Sequence, residues 1–126
     1  MTGDDSGRTA RWAALRERIR RMEEVETLER LIRWYFNPKD HERALRAAWA
    51  FSGLRPDAVG RMGEGRFGLF QLTPCDAGLE SWDGDLLLNP VRNVAAARIV
   101  VDRLGWYAFP AGPVPPPTVV AADMED

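Results

Sequence analysis

From Arg8 to Met22 charged residues are punctuated by Trp12, Leu15, Ile19 and Met22. Steps of three and four place these apolar positions on one face of a helix. A second amphipathic segment runs from Thr27 to Phe36, with Leu28, Leu31, Ile32 and Tyr35 on one side. Asn37-Pro38-Lys39-Asp40 then reads as a helix start. Asn37 suits the N-cap, Pro38 the first helical position, and Asp40 the positive end of the helix dipole. The helix it opens carries Leu45, Ala48, Trp49 and Ser52 at helical spacing, and Gly53 supplies the stop. This segment, about 38 to 52, is expected to be the central buried helix, with Leu45, Ala48 and Trp49 as its apolar stripe.

Between 54 and 68 the helical period disappears. Gly60, Gly63, Gly65 and Gly68 punctuate the stretch, which predicts a small hairpin or a wandering loop. Phe67 to Leu72 is too short a run to type by period. Thr73-Pro74 offers a further helix start, and Asn89-Pro90 a stronger one. The last helix should bury Val94, Ala97, Val101 and Leu104 and end at Gly105. Residues 110 to 117 favour an extended polyproline form. Residues 1 to 8 and 118 to 126 have few apolar anchors and are expected to be disordered. The fold class expected is therefore mostly α, with a small loop or β-hairpin beside a cleft. Three regions are expected: a polar lead and charged helix over 1–26, a helical domain over 27–109, and a Pro-rich, acidic tail over 110–126. No internal repeat is visible.

A length of 126 residues allows one domain with one hydrophobic core, and 45% apolar with 29% charged residues is ordinary for a globular chain. The net charge of −2 argues against a nucleic-acid partner. A single cysteine, Cys75, permits no internal disulfide, and a single histidine, His41, permits no His-rich metal site. Cys75 is expected to be buried or half-buried, and His41 to lie at the surface. No apolar run reaches the roughly 18 residues of a membrane span. The acidic, polar N-terminus does not read as a secretory signal, so the chain is expected to be made in the cytoplasm. The basic run Arg16, Arg18, Arg20, Arg21 followed by Glu23, Glu24, Glu26 reads as a solvated helix face with local ion pairs, or as a partner-binding arm.

Three stretches in order carry a resemblance. Ala50-Phe51-Ser52-Gly53 closes a helix and is followed by Pro56-Asp57-Ala58-Val59. Gly68-Leu69-Phe70-Gln71 comes next, and Asn89-Pro90-Val91-Arg92-Asn93 opens the last helix before Gly105-Trp106. Together they resemble the lysozyme-like superfamily, in particular lytic transglycosylase domains of the phage and actinobacterial type. In that family a helix ends in Glu-Ser-Gly, a short loop follows, and Gly-Leu-x-Gln forms the opposite wall of a sugar cleft. The resemblance covers about residues 28 to 106 and implies a lysozyme-like helical fold. It also implies a peptidoglycan or chitin-like oligosaccharide ligand, substrate contacts from Phe51, Ser52, Gly68, Phe70 and Gln71, and neither cofactor nor metal. A phage particle or a secretion assembly would carry such a protein to the cell wall, with the N-terminal helix as the attachment.

The departure from that pattern is at the acid. Glycoside cleavage needs a carboxyl that protonates the leaving oxygen, usually in a partly apolar cleft that raises its pKa. Phe51 stands at that position. Among downstream carboxylates, Asp57, Glu64 and Glu80, the best substitute is Glu64 in the Gly63-Glu64-Gly65 loop. Phe51 is either a core aromatic or a stacking platform for sugar. Glu64 is either an exposed loop carboxylate or a displaced acid, and Gln71 either a substrate contact or a cap on local backbone. Trp49, Trp82 and Trp106 fit the core or the cleft edge. Three functions remain open: a peptidoglycan-cleaving enzyme using Glu64, a non-catalytic relative that binds glycan or builds an assembly, and a helical adaptor unrelated to sugar.

Overall fold

The computed structural model describes residues 2–79 and 81–109, with side chains described for 7–79 and 83–109. It is mostly helical, and no strand is present among the described residues. The expected polyproline stretch, the acidic tail, Glu80 and the Trp82 side chain lie outside this range.

Helix α1 (Thr2–Tyr35) is continuous. It takes in the expected disordered lead and crosses the boundary placed at 26/27. Nothing between Met22 and Thr27 breaks a helix, and pairs one turn apart reinforce it. Arg20 bonds Glu17 at 2.7 Å, Arg21 bonds Glu24 at 2.8 Å, and Arg30 bonds Glu26 at 2.7 Å. The carbonyls left open at its end find donors elsewhere: His41 Nε2 lies 2.9 Å from both Arg33 O and Phe36 O, and Arg98 Nη1 lies 2.7 Å from Tyr35 O. His41 is therefore half-buried at a helix junction rather than a bystander at the surface.

A 3₁₀ turn, Pro38–Asp40, leads into α2 (His41–Ser52). Asn37 is extended as an N-cap should be, but its side chain makes no capping bond. The buried face of α2 is Ala44, Ala47, Ala48 and Phe51. Trp49 is 43% exposed and Leu45 only half-buried, a correction to the expected stripe. Ala44, Ala47 and Ala48 share one core with Leu28 and Ile32 of α1, and Trp49 lies out of phase with that alanine face. Gly53 ends the helix at φ 64 as expected.

Residues 54–79 form linked turns with isolated bridges, Val59 to Phe67 and Phe67 to Leu72. No helix begins at Thr73-Pro74. Instead Thr73 and Asp76 exchange side-chain-to-backbone bonds at 3.3 and 3.1 Å and close a turn, with Cys75 exposed upon it. Short 3₁₀ turns over Ser81–Leu88, interrupted at Asp83, lead to α3 (Pro90–Leu104). Asn89 caps α3 as expected, accepting from Val91 N at 2.9 Å and Arg92 N at 3.3 Å. The buried face of α3 is Asn93, Val94, Ala97 and Val100, while Leu104 is 69% exposed where the chain turns away at Gly105. A last 3₁₀ turn, Trp106–Ala108, brings Trp106 and Phe109 into the core.

Candidate functional site

The end of α2 is held from two sides. Ser52 Oγ donates to Ala48 O at 2.9 Å. From α1, Arg21 donates to Gly53 O at 2.7 Å and to Leu54 O at 3.0 Å. Those bonds hold Leu54, a residue with side chain at φ 54, in a left-handed conformation that costs about 1–2 kcal/mol unaided. Phe51 is 3% exposed, with its ring centroid 5.6 Å from that of Phe109. Phe109 in turn meets Phe70 at 5.8 Å and Trp106 at 5.6 Å, and Phe36 meets Phe70 and Trp106. Phe51 is thus one node of a five-ring aromatic cluster.

The Gly-Leu-Phe-Gln segment is bound as tightly. Gln71 sits at φ 50 with its side chain wholly buried. Its Nε2 donates to Ala58 O at 3.1 Å and Gly68 O at 2.9 Å, and its Oε1 accepts from Met62 N at 3.2 Å. Gln71 therefore latches the 58–68 loop onto its own turn. Gly68, at φ 77, packs so closely on Asn93 Nδ2 and Leu87 O that a Cβ there would overlap both. Removing the latch leaves Met62 N without its partner, at about 1–3 kcal/mol where buried, while Ala58 O and Gly68 O keep only their backbone bonds from Gly68 N and Gln71 N. Gln71→Ala is expected to lower unfolding free energy by about 2–4 kcal/mol in a urea titration. A loss within experimental error would mean the loop holds itself.

Phe51, Ser52, Gly68, Phe70 and Gln71 are all buried: Phe51 and Phe70 both meet Phe109 in the aromatic cluster, and Gly68 and Gln71 share one turn. Phe70, Gln71 and Ser52 are 0% exposed, so the surface a ligand meets is made by other residues. The physical reason is the aromatic cover: Phe109 and Trp106 fill the space next to the helix end. Glu64 stands apart, exposed between two glycines of positive φ, Gly63 and Gly65.

The open surface nearest the helix end is a groove of about 480 Å³ bordered by Trp49, Arg21, Met22, Glu26, Glu29 and Arg55. Trp49 Nε1 donates to Glu29 Oε2 at 3.1 Å, and the Arg21 guanidinium carbon lies 5.9 Å from the Trp49 ring centroid. No family model, curated protein or solved structure matches the chain. What the groove can do follows from its own side chains. An indole face flanked by carboxylates and guanidinium groups offers a flat apolar platform with donors and acceptors at its rim, a combination suited to a sugar ring. Sequence reasoning counted Trp49 in the apolar stripe of α2 and left it open between core and cleft edge. The signal of its exposure was the alanine-rich face at 44, 47 and 48, against which Trp49 is out of phase.

A second hollow of about 540 Å³ lies between the 76–79 turn and α3, with Leu79, Leu87 and Ala96 as apolar lining and Arg92, Arg103 and Asp76 among its polar residues. Among the described residues no group of three or more His, Cys, Asp or Glu side chains could hold a metal. No described helix is long and apolar enough to cross a membrane.

Proposed function

We propose that the protein is a lysozyme-like domain of the lytic-transglycosylase type that binds peptidoglycan or chitin-like glycan strands without cleaving them. The observation that carries the non-cleaving part is Phe51, 3% exposed inside the aromatic cluster where the acid belongs. A positioned general acid contributes ~10²–10⁴-fold to rate, and a buried phenyl ring supplies none of it. The lysozyme-like frame is supported by the Gly-Leu-Phe-Gln segment and Asn93 of the last helix, which meet in one hydrogen-bonded unit, and by the Ser52-Gly53 turn that closes α2. The isolated bridges Val59 to Phe67 and Phe67 to Leu72 lie in the stretch where the resemblance implies a small hairpin. Delivery to the cell wall as part of a phage particle or secretion assembly belongs to the same reading. The competing enzyme reading assigns the acid to Glu64.

The test is titration of the full chain with N-acetylglucosamine oligomers, followed by amide NMR shifts. Shifts are expected around Trp49, Glu29 and Arg21 at millimolar sugar, and Trp49→Ala should abolish them. No shift anywhere at that concentration removes the glycan ligand and leaves the adaptor. In parallel, peptidoglycan turbidity should not fall with the natural protein. Lysis that vanishes in Glu64→Gln would instead make it an enzyme with Glu64 as acid.

A further inference from the structure

The first half of α1 is exposed on all sides: every described residue from Gly7 to Arg20 is at the surface. Within it Trp12 is 56% exposed, Leu15 42%, Ile19 46% and Met22 69%. At 3.6 residues per turn these four span an arc of roughly 80°. Leu28 and Ile32, which enter the core, lie on the far side of the helix, so the core among the described residues does not cover the stripe. The whole helix has 34 residues, roughly 50 Å at about 1.5 Å each. The stripe therefore stands clear of the domain as an uncovered seam.

Its spacing of three, four, three is that of coiled-coil a and d positions, with Trp12 and Ile19 at a and Leu15 and Met22 at d. The flanking positions are then Arg11, Arg16, Arg18 and Glu23. From Arg8 to Met22 there are six arginines and one glutamate. Two parallel copies would set Arg18 against Glu23 but Arg11 against Arg16. Two antiparallel copies would set Arg16 against Arg16 and Arg18 against Arg18. Neither arrangement is attractive overall. A membrane surface fits less well. Arginines border the stripe closely where an interfacial helix needs a broad apolar face, and Glu23 and Glu26, on the side of the stripe, would face anionic lipid.

We infer that residues 8–22 are a docking seam for an acidic amphipathic helix of another protein. Its apolar a and d side chains lie on Trp12, Leu15, Ile19 and Met22, and its Asp or Glu residues oppose Arg11, Arg16 and Arg18. This goes beyond the glycan reading and does not depend on it: of the four stripe residues Met22 also borders the Trp49 groove, while Trp12, Leu15 and Ile19 do not.

The probe is a labelled three-heptad peptide with Leu and Ile at a and d and Glu at e and g, titrated with the full chain and followed by fluorescence anisotropy. A sister peptide with Lys at e and g is the control. Binding of the Glu peptide is expected at micromolar protein, with the Lys peptide at least about tenfold weaker. The double variant Leu15→Asp, Ile19→Asp should lose at least about tenfold, with unchanged circular dichroism and melting, because both sites are exposed. High salt should weaken the Glu peptide further. Equal binding of both peptides, or none of the Glu peptide, overturns the inference. A dimer in sedimentation that Ile19→Asp dissolves would make a second copy the occupant and overturn it too. So would capture of the chain by phosphatidylglycerol vesicles with the Glu peptide left unbound.

Discussion

Asn93→Leu is expected to leave the protein unfolded or barely folded at physiological temperature. Asn93 is 0% exposed at the centre of the molecule. Its Oδ1 accepts from Phe70 N at 2.9 Å, while Nδ2 donates to Phe67 O at 2.9 Å and Leu87 O at 3.0 Å. One amide thus joins α3 to the Gly-Leu-Phe-Gln turn and to the chain entering α3. A leucine keeps the volume but satisfies none of the three groups. Phe70 N and Leu87 O become buried orphans at about 1–3 kcal/mol each, while Phe67 O keeps its bond from Leu72 N, so the total of about 2–6 kcal/mol rivals the ~5–15 kcal/mol stability of a typical domain. Asn89, the other asparagine of the same motif, provides the contrast. It is exposed and caps only the helix start, so Asn89→Ala should cost about 0.5–2 kcal/mol. Thermal melts of both variants decide the matter, and equal losses would mean that Asn93 is not the joint described.

Local chemistry made the helix ends legible from sequence: Gly53 stops α2, and Asn89-Pro90 starts α3, because caps depend on adjacent residues alone. What escaped depends on distant neighbours. The apolar face of α1 shifts between Met22 and Leu28, and that shift reads as a break between two helices. It is one helix that changes face because its surroundings change, from open surface to the core. Gln71 is recognisable as special in the sequence, but its direction is not. A left-handed backbone at φ 50 turns the amide inward, where it bonds its own loop. The cover over Phe51 was illegible for a similar reason, since Phe109 lies 58 positions away in the chain. Of the candidate site, the motif residues themselves were readable. Their burial, and the displacement of open surface to Trp49, were set by that aromatic cover and by the alanine face of α2, with which Trp49 is out of phase.

Phe51→Glu, which the family resemblance alone would cast as a restoration of activity, is expected to be a severe and pH-dependent destabilisation. Removing a buried aromatic ring costs about 3–5 kcal/mol, and the incoming carboxyl would face Phe109 and the apolar core around it. Desolvation favours the protonated acid, so its folded pKa would rise above the unfolded value of about 4.3. The sign follows from proton counting. Below about pH 4 the carboxyl is neutral in both states and the loss is one of packing. As pH rises, the unfolded state releases its proton first, and the folded state is disfavoured by about 1.4 kcal/mol per pH unit until its own pKa is reached. Measured against the natural protein, the variant's melting temperature should therefore fall further at neutral than at acid pH, whereas Phe51→Gln should show a loss that does not change with pH. Peptidoglycan turbidity should stay unchanged, since the new acid is enclosed by Phe109 and meets no sugar. Lysis by Phe51→Glu and not by Phe51→Gln, with little loss of stability, would mean that the aromatic cover opens onto a glycan cleft, and the binding surface would then belong there rather than at Trp49.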